Sequence, residues 1–260
     1  MVDLILHDTA NQVAILTLNR PERHNSLIPE LLEELLAAIT AVSTNSSIRA
    51  LVLQANGRSF STGGDALGFM EHEHELEAYS RRIVGLLNQV ILALIDLPIP
   101  VITAVHGIVT GGSIGLVAAA DIVLVAPEAS FTPYYSVVGP SPDGGWTALV
   151  PLLIGQRRAA EAIYANRTIK AEEAVGWGLA NRLVAATNIR DEAVRLARQI
   201  ACLKPGSIRH SKKLLNLDRK QIATQLNIEL AHFIQQIITE EGIGGFRDYV
   251  NKTKPKQVVE

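Results

Sequence analysis

The sequence predicts an α/β core followed by an α-helical C-terminal region. Three observations carry that prediction. Between Leu4 and Val184, apolar runs of strand length alternate with stretches whose apolar residues recur at helical spacing. Two small-residue turns, Ser61 to Asp65 and Gly111 to Gly112, each follow a run of strand length. From Arg190 onward the periodicity is helical only, broken at Pro205-Gly206 and at Gly242 to Gly245. The division is therefore expected near residues 189 and 190, with 1–189 as the core and 190–260 as a helical region.

In order, Leu4 to Leu6 and Val13 to Leu18 flank Ala10-Asn11-Gln12 and read as a β-hairpin. From Pro29 a helix is expected, with Leu31, Leu32, Leu35, Leu36, Ile39 and Val42 on one face and Pro29 in the first turn, where its missing N–H has no cost. Arg49 to Gln54 reads as a strand. The charged run Glu71 to Glu77 (EHEHELE) reads as a solvated connection, and a long helix follows from Tyr79 towards Pro98. Val101 to Val105 is a buried strand. Arg157 to Ala165 and Ala171 to Gly176 read as helices and Leu179 to Val184 as a last strand.

Composition narrows the function classes. With 260 residues, 48% hydrophobic and 19% charged, the chain is expected to fold as an ordinary globular protein. A net charge of −2 and dispersed basic residues argue against nucleic acid as partner. The single cysteine, Cys202, excludes an internal disulfide and a multi-cysteine metal site. His72 and His74 lack a third ligand, so no metal is expected. MVDLILHDTANQ has neither a basic leader segment nor a long apolar one, no uncharged apolar run reaches membrane-spanning length, and the C-terminal Val-Val-Glu differs from a peroxisomal Ser-Lys-Leu. The expectation is a cytoplasmic protein without a membrane partner.

The chemistry concentrates between Gly107 and Gly145. Gly111 and Gly112 stand between a buried strand and a run of small residues, where backbone N–H groups lack intrahelical acceptors. Ser61 to Asp65 offers a second such turn. Two converging N–H donors suit an enolate or thioester oxyanion. Ser141-Pro142-Asp143-Gly144-Gly145 fixes one carboxylate on a constrained turn, a candidate base, although Asp143 also fits the N-cap of a following helix. Gly111 to Gly115 also matches the G-x-S-x-G of a serine hydrolase, with Asp143 and then His210 or His232 in the required order, but His106 to Gly112 separate Ser113 from its strand.

Taken together, the motifs resemble the enoyl-CoA hydratase/isomerase (crotonase) family. The segments that carry the resemblance are Asn19-Arg20-Pro21 with Asn25-Ser26-Leu27, Ser59 to Asp65 (SFSTGGD), Pro100 to Asp121 (PVITAVHGIVTGGSIGLVAAAD) and Ile169 to Val184. The resemblance implies a spiral core of ββα units and acyl-CoA thioesters as substrates, with coenzyme A entering only as part of the substrate and no other cofactor. It implies an oxyanion hole at the N–H groups of Gly64 and Gly112, the latter opening a helix whose dipole assists. It also implies coenzyme A contacts along Arg23 to Leu27, Ser61, Thr62 and Gly63, with Arg23 facing phosphates, an acyl pocket including Leu67, Tyr135 and Val138, and association into trimers or hexamers through the C-terminal helices.

The departures are informative. The two glutamates of the family's hydratases fall at Gly115 and Tyr135, whereas Asp143 falls where the isomerases carry their base. The dehalogenases of the family also carry an aspartate there, but their required histidine falls at Asn88. The expected activity is therefore isomerisation of a 3-enoyl-CoA to a 2-enoyl-CoA through Asp143. Three alternatives stay open: a hydratase or ring-epoxide isomerase of the same family, a non-catalytic acyl-CoA-binding member, and a serine hydrolase.

Overall fold

The computed structural model describes residues 3–215 and 218–253; the C-terminal Val-Val-Glu lies outside them. The expected hairpin is present as β1 (Ile5–Ala10) and β2 (Val13–Leu18), paired antiparallel. Asn11 and Gln12 between them both hold positive φ, 53° and 64°, the conformation of a two-residue turn whose twist matches the strands. Strands β3 (Ala50–Ala55), β4 (Val101–Val105), β6 (Ile122–Val125) and β9 (Arg182–Leu183) extend the sheet in parallel, in the order β1-β2-β3-β4-β6-β9. A second sheet is formed by β5 (Ile108–Thr110), β7 (Ser130–Thr132) and β8 (Ile169–Lys170). At Gly107 the chain passes from the large sheet to the small one with φ +66°, and a Cβ there would lie 2.3 Å from the Arg58 carbonyl oxygen, so only glycine fits.

Helix α1 (Pro29–Thr44), with Leu31, Leu32, Leu35 and Ile39 inward, packs on α3 (Leu76–Asp96) across one face of the large sheet. By length and composition the stretch Glu73–Asp96 is apolar enough to cross a membrane, yet Ile83, Leu87, Val90, Ile91 and Leu94 are all buried in the core. Helix α9 (Ile189–Ala201) covers the other face. Its Ala193, Ala197 and Ala201 lie one turn apart, and their small side chains let it approach Val52, Ile102 and Leu124 closely. The helix that opens at the expected division thus belongs to the sheet's packing.

Two expectations are corrected. Glu71 to Glu77 is helical rather than an irregular connection: α2 (Ala66–Glu71) and a single 3₁₀ turn run into α3, and His72 stacks on Tyr79 with ring centroids 4.2 Å apart. The charges mark only the outer side, because Leu76 within the run is buried. The last strand is shorter than Leu179 to Val184, since regular pairing is confined to β9; Asn181 and Val184 donate single bonds to Val123 and Val125.

The remaining α-helices among the described residues are α4 (Ile114–Ala118), α5 (Tyr135–Val138), α6 (Val150–Ile154), α7 (Gln156–Tyr164), α8 (Ala171–Trp177), α10 (Pro205–Leu215), α11 (Arg219–Ile237) and α12 (Glu240–Thr253). Helix α11 lies against α3, while α12 lies against α2 and α5. Both C-terminal helices therefore fold back over the core of their own chain. Buried Lys212 ties α10 down by bonds to Asp121 (2.7 Å) and to the Ile99 carbonyl (3.0 Å).

Candidate active site

The two small-residue turns are held side by side. Ser61 bridges to Val109 of β5, and Leu27 bridges to Gly64 through Leu27 N–H to Gly63 C=O (2.7 Å) and Asp65 N–H to Leu27 C=O (3.0 Å). The C=O and N–H of a trans peptide point in opposite directions, so the Gly63 C=O bond to Leu27 leaves the Gly64 N–H on the other side. Gly112 is the second residue of a 3₁₀ turn, Gly111–Ser113, so its N–H precedes the first intrahelical acceptor. The expected helix dipole is largely missing: the turn runs into α4, which spans Ile114–Ala118 only, so the donor acts locally.

Asp65 locks the first turn. It accepts from Arg20 (2.8 Å), Arg23 (2.8 Å) and Ser26 Oγ (3.2 Å), and it caps α2 through Leu67 N–H. Burial pushes its carboxyl up, but the hydrogen bonds and charges of the two arginines outweigh that and hold it below the usual carboxylate range. Arg23 thus has one guanidinium nitrogen on Asp65 and a side chain 39% exposed.

Asp143 is buried against the second turn. A Cβ on Gly112 would lie 3.0 and 3.1 Å from its two carboxylate oxygens, so only a glycine lets the carboxylate approach the donor backbone this closely. Gly144, with φ +62°, packs against Gly112 backbone to backbone; a Cβ there would lie 2.4 Å from Gly112 Cα. Tyr135 donates its hydroxyl to Asp143 Oδ1 at 2.6 Å. Burial pushes the Asp143 carboxyl up to about 7; the Tyr135 hydrogen bond opposes this and the nearby Glu229 carboxylate adds to it. Trp146 donates its indole N–H to the Gly111 carbonyl (2.9 Å) and ties the Asp143 turn to the Gly111–Ser113 turn.

Residues 144–149 form turns and the next helix, α6, begins at Val150, so Asp143 caps no helix. The hydrolase alternative also loses its footing. Ser113 is fully buried and gives its hydroxyl to two backbone carbonyls, Thr110 (2.7 Å) and Ser61 (3.0 Å), with no histidine among its partners. Among the described residues no group of three or more His, Cys, Asp or Glu is placed to hold a metal ion.

A cavity open to solvent lies over these groups, with Thr62, Gly63, Gly64, Gly112 and Asp143 in its wall. Tyr135 and Val138 line it; Ser61 and Leu67 do not. Ser61 is buried with its hydroxyl on the Asn25 carbonyl (2.7 Å), and on α2 it is Ala66 and Phe69 that face the cavity in place of Leu67. Six aromatic rings surround the space: Phe69, Tyr134, Tyr135, Phe233, Phe246 and Tyr249. Three of them come from α11 and α12, so the C-terminal helices supply part of the cavity wall. Asn88 is absent from that wall; it is buried in α3 and donates to the Leu226 carbonyl (3.1 Å).

One residue that the sequence motifs do not point to stands behind Asp143. Glu229 of α11 is 3% exposed and accepts from the N–H groups of Gly145 (2.8 Å), Thr147 (2.7 Å) and Ala148 (3.0 Å) and from the Thr147 hydroxyl (2.7 Å). Burial pushes its carboxyl up, against these hydrogen bonds. Four donors aimed at two oxygens match the acceptor-only, ionised form.

The family model for enoyl-CoA hydratase/isomerase matches residues 8–257. The chain belongs to the enoyl-CoA hydratase/isomerase family. It is 30% identical to a trans-2-decenoyl-[acyl-carrier-protein] isomerase of Streptococcus mutans over 97% of each chain. It is 32% identical to a 1,2-epoxyphenylacetyl-CoA isomerase of Escherichia coli, covering 88% of each. A crystal structure of an enoyl-CoA hydratase/isomerase from Xanthobacter autotrophicus superimposes with a TM-score of 0.88 at 27% identity, covering 96% of this chain and 94% of that one.

Within this enoyl-CoA hydratase/isomerase, the positions of the two hydratase glutamates have physical content. A Cβ at Gly115 would lie 2.4 Å from Ile91 Cδ1 and 2.5 Å from the Gly144 carbonyl oxygen, so the space a glutamate needs is filled by core and by the turn that carries Asp143. At the second position Tyr135 serves as hydrogen-bond donor to Asp143. Among the residues in the cavity wall, Asp143 is the single carboxylate.

Proposed function

We propose that this family member is an acyl-CoA isomerase that moves a double bond from C3 to C2. The observation that carries this reading is the lone carboxylate, set against a donor turn, in a cavity where both hydratase glutamate positions are occupied by other chemistry. Ionised Asp143 takes a proton from C2 of a 3-enoyl-CoA. The electron pair of that C–H bond delocalises over C1 to C4 as a dienolate, whose oxygen accepts from the N–H groups of Gly64 and Gly112. The neutral carboxyl then returns the proton to C4, leaving the double bond between C2 and C3. The proton taken is the proton given back, so one carboxylate suffices and no further cofactor enters. Hydration would need a water placed and activated as well.

The coenzyme A half is assigned to the loop Arg23 to Leu27 and the edge at Thr62 and Gly63, with Arg23 retaining an exposed side for phosphate. Association into trimers or hexamers belongs to the same reading; α10 leaves Leu214 and Leu215 86% and 81% exposed, apolar surface of the kind a subunit contact covers. The six rings around the cavity favour a second reading on the acyl group, in which the substrate carries a ring, as in the relative named for epoxyphenylacetyl-CoA.

The test is turnover of a linear 3-enoyl-CoA, a ring-bearing acyl-CoA and a 2-enoyl-CoA, followed by conjugated-thioester absorbance. Gain of the 2-enoyl signal from the linear substrate supports the proposal. Loss of signal from the 2-enoyl substrate by water addition sinks it, and turnover of the ring substrate alone transfers the reading to ring isomerisation.

The acid limb of the pH profile follows from the site. The base must be ionised, so kcat/KM is expected to rise with pH through about 7. Tyr135→Phe removes the hydrogen bond that favours the ionised form, and the limb is expected to move to higher pH, by roughly one pH unit for a charged hydrogen bond of about 1.5 kcal/mol. A pH–rate profile of the two proteins checks both statements.

A further inference from the structure

We infer that Glu229 is a positioning residue: through the backbone N–H groups of Gly145, Thr147 and Ala148 it holds the Asp143 turn against the donor turn and places a fixed negative charge behind the base. The inference rests on the reading of Asp143 as the base. Glu229 does not line the cavity, and no cation pairs with it among the described residues. Its interactions converge on the segment that begins two residues after Asp143. Gln225, one helical turn earlier on α11, adds a bond to the Thr147 hydroxyl (3.1 Å), and Phe233, one turn later, enters the cavity wall. The same helix therefore grips the base turn and contacts the acyl space.

A buried carboxylate without a counter-ion is a costly way to fasten a turn, since an amide or hydroxyl fastens one without burying a charge. Its distinguishing property is the charge. The ionisable groups that act on Asp143 are Tyr135 of α5 and Glu229 of α11, and they act in opposite directions: the Tyr135 hydrogen bond favours the ionised carboxyl, the Glu229 charge the neutral one. Beside Gly112, α3 places the apolar side chain of Leu87, and the Gly111–Ser113 turn offers its backbone. A carboxyl that must first accept a proton and then surrender it works best when its proton affinity is close to the working pH. Glu229 shifts it in that direction while fixing the geometry.

The experiment uses the full-length protein with ¹³C-carboxyl aspartate, the Asp143 resonance being assigned by its loss in Asp143→Asn. In Glu229→Gln the side-chain amide keeps its shape but turns an NH₂ towards one of the backbone donors and removes the charge. The Asp143 titration and the acid limb of kcat/KM are both expected to move to lower pH. kcat is expected to fall about 10- to 100-fold with KM within about twofold, the loss that follows misplacement of a reacting group by up to about 1 Å.

A folded Glu229→Gln whose Asp143 titration is unmoved overturns the inference, whatever its kcat. Should Glu229→Gln not fold, Thr147→Val removes one donor and leaves the charge; the inference then requires a lower kcat with the titration in place, and a wild-type kcat overturns it. The titration needs no turnover. If Asp143→Asn proves fully active the assignment of the base fails, while the titration still decides whether Glu229 acts on Asp143.

Discussion

Asp143→Asn is expected to lower kcat by roughly 10²- to 10⁴-fold, the contribution of a positioned general base, with KM little changed. Asparagine has the same shape and still accepts the Tyr135 hydroxyl, so the cavity and the donors of Gly64 and Gly112 stay in place. The same variant is expected to be more stable than the parent at neutral and alkaline pH. In the folded protein the carboxyl titrates at about 7, against an ordinary aspartate value of 3.8. Between those two values the folded state holds the proton that the unfolded chain has released, so stability falls as pH rises through this window, and the penalty is complete above it. Asparagine carries no such penalty. Thermal melts should therefore show a larger gain in Tm for Asp143→Asn at pH 8 than at pH 5. Equal gains at the two pH values would contradict the raised proton affinity, and full turnover would remove Asp143 from the mechanism.

Gly115→Glu, which restores a glutamate where the family's hydratases carry one, is expected to damage the fold without conferring hydration. The first carbon of the new side chain already meets Ile91 at 2.4 Å and the Gly144 carbonyl oxygen at 2.5 Å. Ile91 has little freedom to withdraw, being fully buried, and Gly144 is backbone pressed on Gly112. Overpacking of this kind costs about 1–3 kcal/mol, and burying an unpaired carboxylate adds several kcal/mol more. For a chain of this length a loss of about 3 kcal/mol corresponds to a fall in Tm on the order of 10 °C. Because the displaced group is the turn that carries Asp143, isomerisation should fall as well. A melting curve together with a 2-enoyl-CoA hydration assay tests this; a stable variant that adds water would show that the missing glutamate alone separates this chain from a hydratase.

Much of this arrangement is legible in the residue order, where the physics is local. The hairpin, the strands β3 and β4 and the helix α1 follow from apolar periodicity and Pro29, because burial of one face is enough to select them. The small-residue turns and the constrained Asp143 turn are visible because few residue types permit such backbones. The helical character of Glu71 to Glu77 is masked because its charges face solvent while Leu76 alone marks the buried side. Glu229 does carry a signal: Ile222, Leu226, Glu229, Phe233 and Ile237 are spaced as one buried seam of α11, with a carboxylate in place of an apolar residue. A carboxylate at such a position requires donors, but the spacing does not say which segment supplies them.

The sequence by itself determined the alternation of strands and helices, the two small-residue turns and the constrained turn that carries Asp143. These depend on periodicity and on the conformations open to Gly and Pro, which act within a few residues. Tertiary structure decided that Ser113 spends its hydroxyl on carbonyls, that Arg23 is held by Asp65, that Ala66 and Phe69 rather than Leu67 line the cavity, that α11 and α12 supply part of its wall, and that α11 anchors the Asp143 turn. Each of these depends on which distant group fills the space beside a residue, and that follows from packing of the whole chain rather than from local order.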